Sequence, residues 1–243
     1  MEIVTFASRP DLDIEPSSLS ASWPRFMLED PVAYLYYSFL EEWSEHVLVG
    51  LIDGRVVARA MTVAFAMNAE NRSDLPASGW DGIVRWAHFD RLTGVTPTHV
   101  SALEVVVAAD MKGTGMATPM VEAMRTNVDR LGFNQFVAPV RPSQKHTVPH
   151  EPMQQYVNRM RPDGLPEDPW MRIHARLGAE ILSVCPTSMT IPGTIDQWAD
   201  WTGSRFEQSG DVEVPGALVP VHVDLEQDHA VYVEPNVWMR HSW

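Results

Sequence analysis

The sequence is poor in cysteine, in basic residues and in long apolar runs, and each scarcity excludes a class of protein. Its single cysteine, Cys185, rules out an internal disulfide and any thiolate metal cluster. Only 18 lysine and arginine residues oppose 32 aspartate and glutamate residues, so the formal charge of −14 repels nucleic-acid phosphates. No apolar run approaches the roughly 18–20 residues that cross a bilayer. We therefore expect neither a nucleic-acid-binding protein nor a membrane protein.

The N-terminus also lacks the marks of a secretion signal, because it has neither a basic start nor a long apolar stretch. We therefore expect a cytoplasmic protein. The 243 residues suffice for one large domain with a substantial core. The excess of negative charge either attracts a cationic substrate such as an amine or serves only to keep the protein in solution.

Strand-like and helical patterns are mixed along the chain and predict an α/β or α+β sheet. We expect strands at residues 2–7, 47–52, 55–67, 98–108, 133–140, 179–184, 217–225 and 230–234. We expect helices at residues 23–29, 31–42, 82–92, 116–131, 169–177 and 195–202. Asp53-Gly54 predicts a tight hairpin, since both positions of such a turn need positive φ. Residues 141–167 contain five prolines and predict a long excursion that is either functional or mobile.

The most informative segment is the loop Asp-Met-Lys-Gly-Thr-Gly at residues 110–115. A valine-rich strand precedes this loop and a helix follows it directly. The first turn of a helix has free backbone N–H groups and the positive end of the helix dipole, so it suits an anion. Gly113 and Gly115 let the backbone approach a diphosphate without an intervening Cβ. Taken alone, the loop predicts either an anion site or a plain structural turn, and it matches neither the P-loop nor the dinucleotide fingerprint.

With its surroundings, the loop resembles the Arg/Gln-x-x-Gly-x-Gly/Ala motif of the GCN5-related N-acetyltransferase (GNAT) superfamily. The alternation Leu103-x-Val105-x-Val107 and the later Ala117 also fit. The Asp53-Gly54 hairpin resembles the turn between that family's second and third strands. Residues 173–179, Ile-His-Ala-Arg-Leu-Gly-Ala, resemble its Leu-Tyr-x-x-x-Gly-Phe motif. The resemblance spans about residues 1–184, and about residues 185–243 are expected to complete the sheet of a single domain with extra C-terminal strands.

This resemblance implies a splayed central sheet flanked by helices, in an enzyme that transfers an acetyl group from acetyl-CoA to a small-molecule amine. Pantetheine would run along Val105, Val106 and Val107. The backbone amides of the following residues would hold the pyrophosphate: Lys112, Gly113, Thr114, Gly115, Met116 and Ala117. His146, His150 and Glu151 are candidate metal ligands, but the spacing His-x-x-x-His needs a helix and Pro149 argues against one, so we expect no metal. A homodimer stays open.

Asp110 departs from the family motif, since it places a carboxylate where Arg or Gln is usual, and Lys112 offsets that charge. Two alternatives to the acetyltransferase therefore stay open. One is transfer of a longer acyl group from acyl-CoA or a carrier protein. The other, which Asp110 favours, is a non-catalytic module that senses CoA or binds a partner.

Direct acyl transfer needs a group that takes the amine proton and a group that protonates the leaving thiolate. His174 occupies the place of the family's tyrosine acid and titrates near neutral pH, and a packed structural histidine is the alternative. For the base, Glu104 is the first choice and His99 the second. A carboxylate in a valine-rich strand is costly unless it is paired or functional, so a buried salt bridge is the alternative for Glu104. Trp80 is a candidate for the acceptor pocket, as is Trp86.

Overall fold

The computed structural model describes residues 1–15, 19, 22–69 and 71–242. Its strands are β1 Glu2–Thr5, β2 Val47–Ile52, β3 Arg55–Phe65, β4 His99–Val107, β5 Phe136–Val140, β6 Ala179–Gly193, β7 Gly210–Val212, β8 Val221–Asp224 and β9 His229–His241. Its α-helices are α1 Ala33–Tyr37, α2 Gly79–Thr93, α3 Ala117–Arg130, α4 Met153–Tyr156, α5 Pro169–Arg176 and α6 Ile195–Thr202. Short 3-10 helices lie at Arg25–Glu29, Ser44–His46, Ala109–Met111 and Lys145–Thr147.

All of these strands belong to one mixed sheet, which confirms the predicted fold class. The order is β1-β2-β3-β4-β5-β9-β8-β7, and β6 pairs with the second edge of β9. Every pairing is antiparallel except that of β4 with β5, which is parallel. The last strand of the chain therefore lies inside the sheet rather than at its edge.

Apolar side chains of α2 and α3 cover the two faces of the sheet. Met120 and Met124 of α3 pack in one buried cluster with Phe136 of β5. Ile83 and Val84 of α2 pack in a second cluster on the other face. Within the described residues, no helix is both long enough and apolar enough to cross a bilayer.

The local turn signals are confirmed where the backbone conformation is demanding. Asp53 and Gly54 have φ values of 50° and 78° and connect β2 to β3, as the hairpin requires. Asp168 caps α5 by accepting hydrogen bonds from the amides of Trp170 and Met171, at 2.9 and 3.1 Å. Gly178 then ends this helical segment with a φ of 86°.

Several predicted boundaries were wrong near proline and in the first forty residues. Both β6 and β9 are much longer than predicted, because they pair with each other across Pro186 and Pro235, with a register shift between Cys185 and Met189. Strand β7 was not predicted, and residues 25–29 form a 3-10 helix. The 141–167 excursion is anchored by the buried Lys145, whose Nζ donates to the carbonyl of Leu218 at 2.8 Å.

Candidate active site

Strands β4 and β5 separate after a very short pairing, and this separation creates the site. Their register contains only the pairs Val100 with Phe136 and Ser101 with Val137. The pairing of β3 with β4 shifts between Met61 and Thr62, so Leu103 is an extra residue on β4. Beyond this bulge, the edge of β4 that faces β5 has no partner strand among the described residues.

A cavity of about 520 Å³ occupies the gap between the two strands, and we call it the main cavity. One wall consists of β4 residues 102–105, and the opposite wall consists of β5 residues 138–140 and the following Arg141. Trp80 also lines the cavity, and its Nε1 atom donates to the carbonyl of the bulged Leu103 at 3.0 Å. Trp86 does not line it and instead contacts Phe65 and Arg72.

The three valines of the predicted pantetheine path have different surroundings. Val105 lines the main cavity. Val106 is buried on the opposite side of the strand, where it packs against Leu19 and Ala108. Val107 is partly buried, and its carbonyl accepts a hydrogen bond from Ser22 Oγ at 2.8 Å. Only Val105 therefore presents its side chain to the main cavity.

The predicted phosphate loop connects β4 to α3 and has an open backbone. Gly113 and Gly115 have φ values of 80° and 85°, which favour glycine, and a Cβ at either position would meet no atom within 4 Å. Four backbone amides of this loop donate to no described residue: those of Gly113, Gly115, Met116 and Ala117. The Thr114 amide and hydroxyl both donate to the carbonyl of Met111, at 3.3 and 2.6 Å.

Lys112 is exposed at this loop, so its ammonium group is available to an anion. Asp110 forms an ion pair at this loop, because its Oδ2 atom lies 2.8 Å from Nη2 of Arg55. Both side chains of this ion pair are about half exposed. Arg55 therefore offsets the carboxylate that distinguishes this loop from the family motif.

Glu104 lines the main cavity, but both of its carboxylate oxygens are occupied. Oε1 accepts from Nε and Nη2 of Arg59 at 2.9 and 2.7 Å, and Oε2 accepts from Nε1 of Trp23 at 3.1 Å. Arg59 also donates to the carbonyl of Ile14 and to Glu15. Burial alone lowers the pKa of Arg59, but the Glu104 carboxylate raises it, and the net pKa is above its ordinary value. The geometry favours the buried salt bridge over the predicted base.

His174 lies on α5 and also lines the main cavity. It is only 2% exposed, and burial, followed by the neighbouring His241, lowers its pKa to about 3. Trp170 holds the ring edge-on, with the two ring centroids 4.6 Å apart at an interplanar angle of 83°. His174 is therefore a neutral imidazole at physiological pH.

The structure does not bring His99 to the site. His99 begins β4, at the end remote from the loop, and lines a separate cavity with Asp74 and Leu182. Its Nδ1 atom lies 2.9 Å from the hydroxyl of Thr98, and burial lowers its pKa. The prediction of His99 as the second-choice base is thus corrected, because its position on β4 places it away from the gap between β4 and β5.

Sequence reasoning missed several polar groups of the main cavity. Glu234 of β9 is fully buried and accepts from Nε of Arg141 at 2.8 Å and from the hydroxyl of Tyr232 at 2.8 Å. Asn236 donates to its other oxygen at 2.9 Å. The signal was present in the alternating pattern Tyr232-x-Glu234-x-Asn236, which places three polar groups on one face of a buried strand.

An open strand edge and a neutral imidazole line the main cavity, and a loop of free amides follows the same strand. Free amides at a helix N-terminus bind phosphates, and an extended pantetheine arm can pair with an unpaired strand edge. The imidazole can then exchange a proton with a group that reacts in the cavity. This set of parts suits attack of a nucleophile on a thioester.

No family model matches the chain. Over 268 residues it is 32% identical to the arginine N-acetyltransferase avaD of Aspergillus versicolor, and the match covers 98% of this chain and 92% of that protein. Its fold is similar to the loading GNATL domain of CurA from Lyngbya majuscula, with a TM-score of 0.58 at 12% identity, covering 99% and 96% of the two chains.

A second solved structure, the GphF GNAT-like decarboxylase in complex with isobutyryl-CoA, has a TM-score of 0.56 at 15% identity and covers 100% and 99% of the two chains. At these identities the two solved structures support the fold alone. The activity is supported by the avaD relationship, which extends over nearly the whole of both proteins. The chain therefore belongs to the GCN5-related N-acetyltransferase superfamily, as an acyltransferase that transfers an acetyl group to an amine.

Proposed function

We propose that this enzyme uses acetyl-CoA to acetylate the α-amino group of a small cationic amino acid of the arginine class. The observation that carries the proposal is the main cavity, which has the open edge of β4 on one side and His174 on its wall. The relationship to an arginine N-acetyltransferase supports the choice of acceptor.

The donor is proposed to lie along the open edge of β4. Its pantetheine arm would pass Val105 at the cavity wall, and its pyrophosphate would accept hydrogen bonds from the free amides at the start of α3. Lys112 adds positive charge at the same end of the strand, where Arg55 offsets the carboxylate of Asp110. The thioester would then enter the gap from the loop side, toward His174.

The charges of the main cavity favour a cationic acceptor. Its two guanidinium groups are already neutralised, since Arg59 pairs with Glu104 and Arg141 pairs with Glu234. Glu29 and Asp30 also line the cavity and form no ion pair with any described residue. The surplus is therefore negative, in agreement with the formal charge of −14 for the whole chain.

The α-amino group is the proposed nucleophile because it is the easier nitrogen to deprotonate. A guanidinium remains protonated at any physiological pH, and a protonated nitrogen has no lone pair for attack. An α-amine titrates several pH units lower, so a reactive fraction exists near neutrality. The guanidinium would then serve recognition and the amine would serve chemistry.

The proposal is tested by measuring CoA release from acetyl-CoA with arginine and with citrulline, which has nearly the same shape but no side-chain charge. We expect kcat/KM for arginine to exceed that for citrulline by about tenfold to a hundredfold. Fragmentation mass spectrometry of the product should place the acetyl group on the α-nitrogen. Equal rates for the two acceptors, or no turnover of either, would overturn the assignment.

Donor length is tested in the same assay by replacing acetyl-CoA with isobutyryl-CoA. We expect acetyl-CoA to be the better donor, because the acyl group must fit between the two cavity walls next to His174. A preference for the branched acyl group would instead support transfer of longer chains.

A further inference from the structure

A second histidine lies directly behind His174. His241, near the end of β9, places its Nε2 atom 2.9 Å from Nδ1 of His174. Both side chains are 2% exposed, but only His174 lines the main cavity. Phe136 stacks on the His241 ring, with centroids 4.9 Å apart at 26°, so the second imidazole is held in a fixed orientation.

At neutral pH the two facing nitrogens share a single hydrogen. Burial lowers the pKa of both rings, followed by the neighbouring His241 ring for His174 and by the Arg125 charge for His241. The pKa is about 3 for His174 and about 4 for His241, so neither is an imidazolium. The hydrogen is either on Nδ1 of His174 or on Nε2 of His241. The first arrangement leaves Nε2 of His174 with a lone pair, and the second gives that atom a hydrogen.

Attack by an amine requires the first arrangement, because only then does His174 present a lone pair, on Nε2, to the cavity. Nδ1 of His174 then donates to Nε2 of His241 across the 2.9 Å contact. The one hydrogen of the neutral His241 ring is then on Nδ1, which has no hydrogen-bond partner among the described residues.

We propose that His241 is a positioning residue that fixes the tautomer of His174, so that Nε2 of His174 faces the main cavity as a proton acceptor. This inference rests on the proposed function for the identity of the reacting groups and for the need of a proton acceptor at the cavity wall. The geometry that carries it is the 2.9 Å contact between the rings and the placement of one ring on the cavity wall.

The proton balance of the transfer closes within this pair. As the amine nitrogen bonds to the thioester carbon, its proton passes to Nε2 of His174, and the Nδ1 hydrogen of His174 passes to Nε2 of His241. As the carbon–sulfur bond breaks, the thiolate takes the proton from Nε2 of His174, and His241 returns the hydrogen to Nδ1. The return is downhill, because a thiol has an ordinary pKa near 8.5 and a buried imidazolium is disfavoured. His174 therefore acts first as base and then as the acid that its sequence position predicts.

The decisive measurement is histidine side-chain nitrogen NMR of the full chain. In the unsubstituted enzyme, we expect His174 to show a protonated Nδ1 and a bare Nε2. A protonated Nε2 in His174 would overturn the proposal before any substitution is made. Signals are assigned by comparison with His174→Gln, which removes one set.

Two substitutions then test the dependence on His241. His241→Phe removes the acceptor, and we expect kcat to fall by about 10²-fold with little change in KM for acetyl-CoA, together with loss of the fixed His174 tautomer. His241→Gln keeps an oxygen acceptor of similar reach, so we expect kcat within about tenfold of the parent. A merely structural role would lower thermal stability without changing the tautomer.

The outcomes separate this inference from the proposed function. If arginine is not acetylated but the His174 tautomer depends on His241, only the choice of acceptor fails. If arginine is acetylated and His241→Phe leaves both kcat and the tautomer unchanged, only the positioning role fails. Should His241→Phe not fold, His241→Gln and the spectrum of the unsubstituted enzyme still decide the question.

Discussion

Arg59 of β3 and Glu104 of β4 form a buried ion pair across the wall of the main cavity, with side chains that are 7% and 10% exposed. Two guanidinium nitrogens contact the same carboxylate oxygen, at 2.9 and 2.7 Å. Trp23 occupies the other oxygen and Glu15 binds the remaining side of the guanidinium. The pair thus connects the N-terminal segment to the strand along which we propose that the donor lies.

The first prediction concerns the role of Glu104. We expect Glu104→Gln to destabilise the protein by about 3 kcal/mol, because it leaves a buried guanidinium with less compensation. We expect kcat to fall by less than tenfold, since the hydrogen bonds of a neutral amide still hold the wall in place. Denaturant unfolding and steady-state kinetics measure the two effects.

The control for this variant is Glu180→Gln, which breaks the exposed pair with Arg240. An exposed pair of this kind contributes little, so its unfolding free energy should change by no more than about 1 kcal/mol. A loss of about 10²-fold or more in kcat for Glu104→Gln, with stability preserved, would restore Glu104 as the general base.

Local signals in the sequence were sufficient for much of the fold. Asp53-Gly54 predicted the hairpin because few residues tolerate its backbone angles, and residues 195–202 were predicted as a helix with the bounds observed for α6. The length of β9 was not predictable in this way. Pro235 ends the local strand pattern, but β5 and β6 pair with the strand on both of its edges beyond that proline. Tertiary pairing there overrides a local stop signal.

The site was predictable to the extent that its residues belong to local motifs. The glycine loop and His174 could be predicted as candidates because each has a fixed position relative to a helix end. Arg59 and His241 were not identified, because their roles arise from partners 45 and 67 residues away in the chain. An arginine in an otherwise apolar strand was the available signal for Arg59, since such a charge is costly unless it is paired.

The second prediction concerns the phosphate loop. Gly113→Glu adds a negative charge beside the free amides and strains a backbone with a φ of 80°. We expect the Kd for CoA to rise at least about tenfold, because a carboxylate repels the pyrophosphate. Calorimetric titration gives the value.

Gly164→Glu is the matched control, because Gly164 has a φ of 78° and equally open surroundings, but lies in the 141–167 excursion. The same backbone strain and charge there should leave CoA affinity unchanged. Equal weakening by both substitutions would mean that the loop does not hold the pyrophosphate.

The third prediction concerns Asp110. Asp110→Asn frees Arg55 from its ion pair and removes a carboxylate from the loop. We expect CoA to bind severalfold more tightly at low ionic strength, and the gain to shrink as salt is added, because exposed charges are screened. Pantetheine, which lacks the pyrophosphate, should bind both proteins equally. Weaker or unchanged binding of CoA at low salt would place the diphosphate away from this residue.

The last prediction concerns Asp81, which is 1% exposed and lies beside Asp30, a residue that lines the main cavity. Burial, followed by the Asp30 charge, raises the pKa of Asp81 to about 8. The folded state therefore holds a proton that the unfolded chain, with its ordinary carboxyl pKa, releases. By linkage, this group lowers the stability as pH rises toward 8, with a slope of up to about 1.4 kcal/mol per pH unit.

Asp81→Asn should remove that slope, because an amide donates to Asp30 as the protonated carboxyl does and cannot titrate. The comparison belongs between pH 6.5 and 8.5. The buried histidines, whose folded pKa values are lowered, add a slope near pH 6.5 where the unfolded chain still binds their protons, but the parent and the variant share this slope and it cancels in their difference. We expect the variant to gain unfolding free energy over the parent as pH rises across this range, and the exposed control Asp200→Asn to show no such gain. A variant whose difference from the parent is constant with pH would mean that Asp81 is ionised in the folded enzyme, with its charge balanced by Arg85, whose Nη2 atom lies 3.6 Å away.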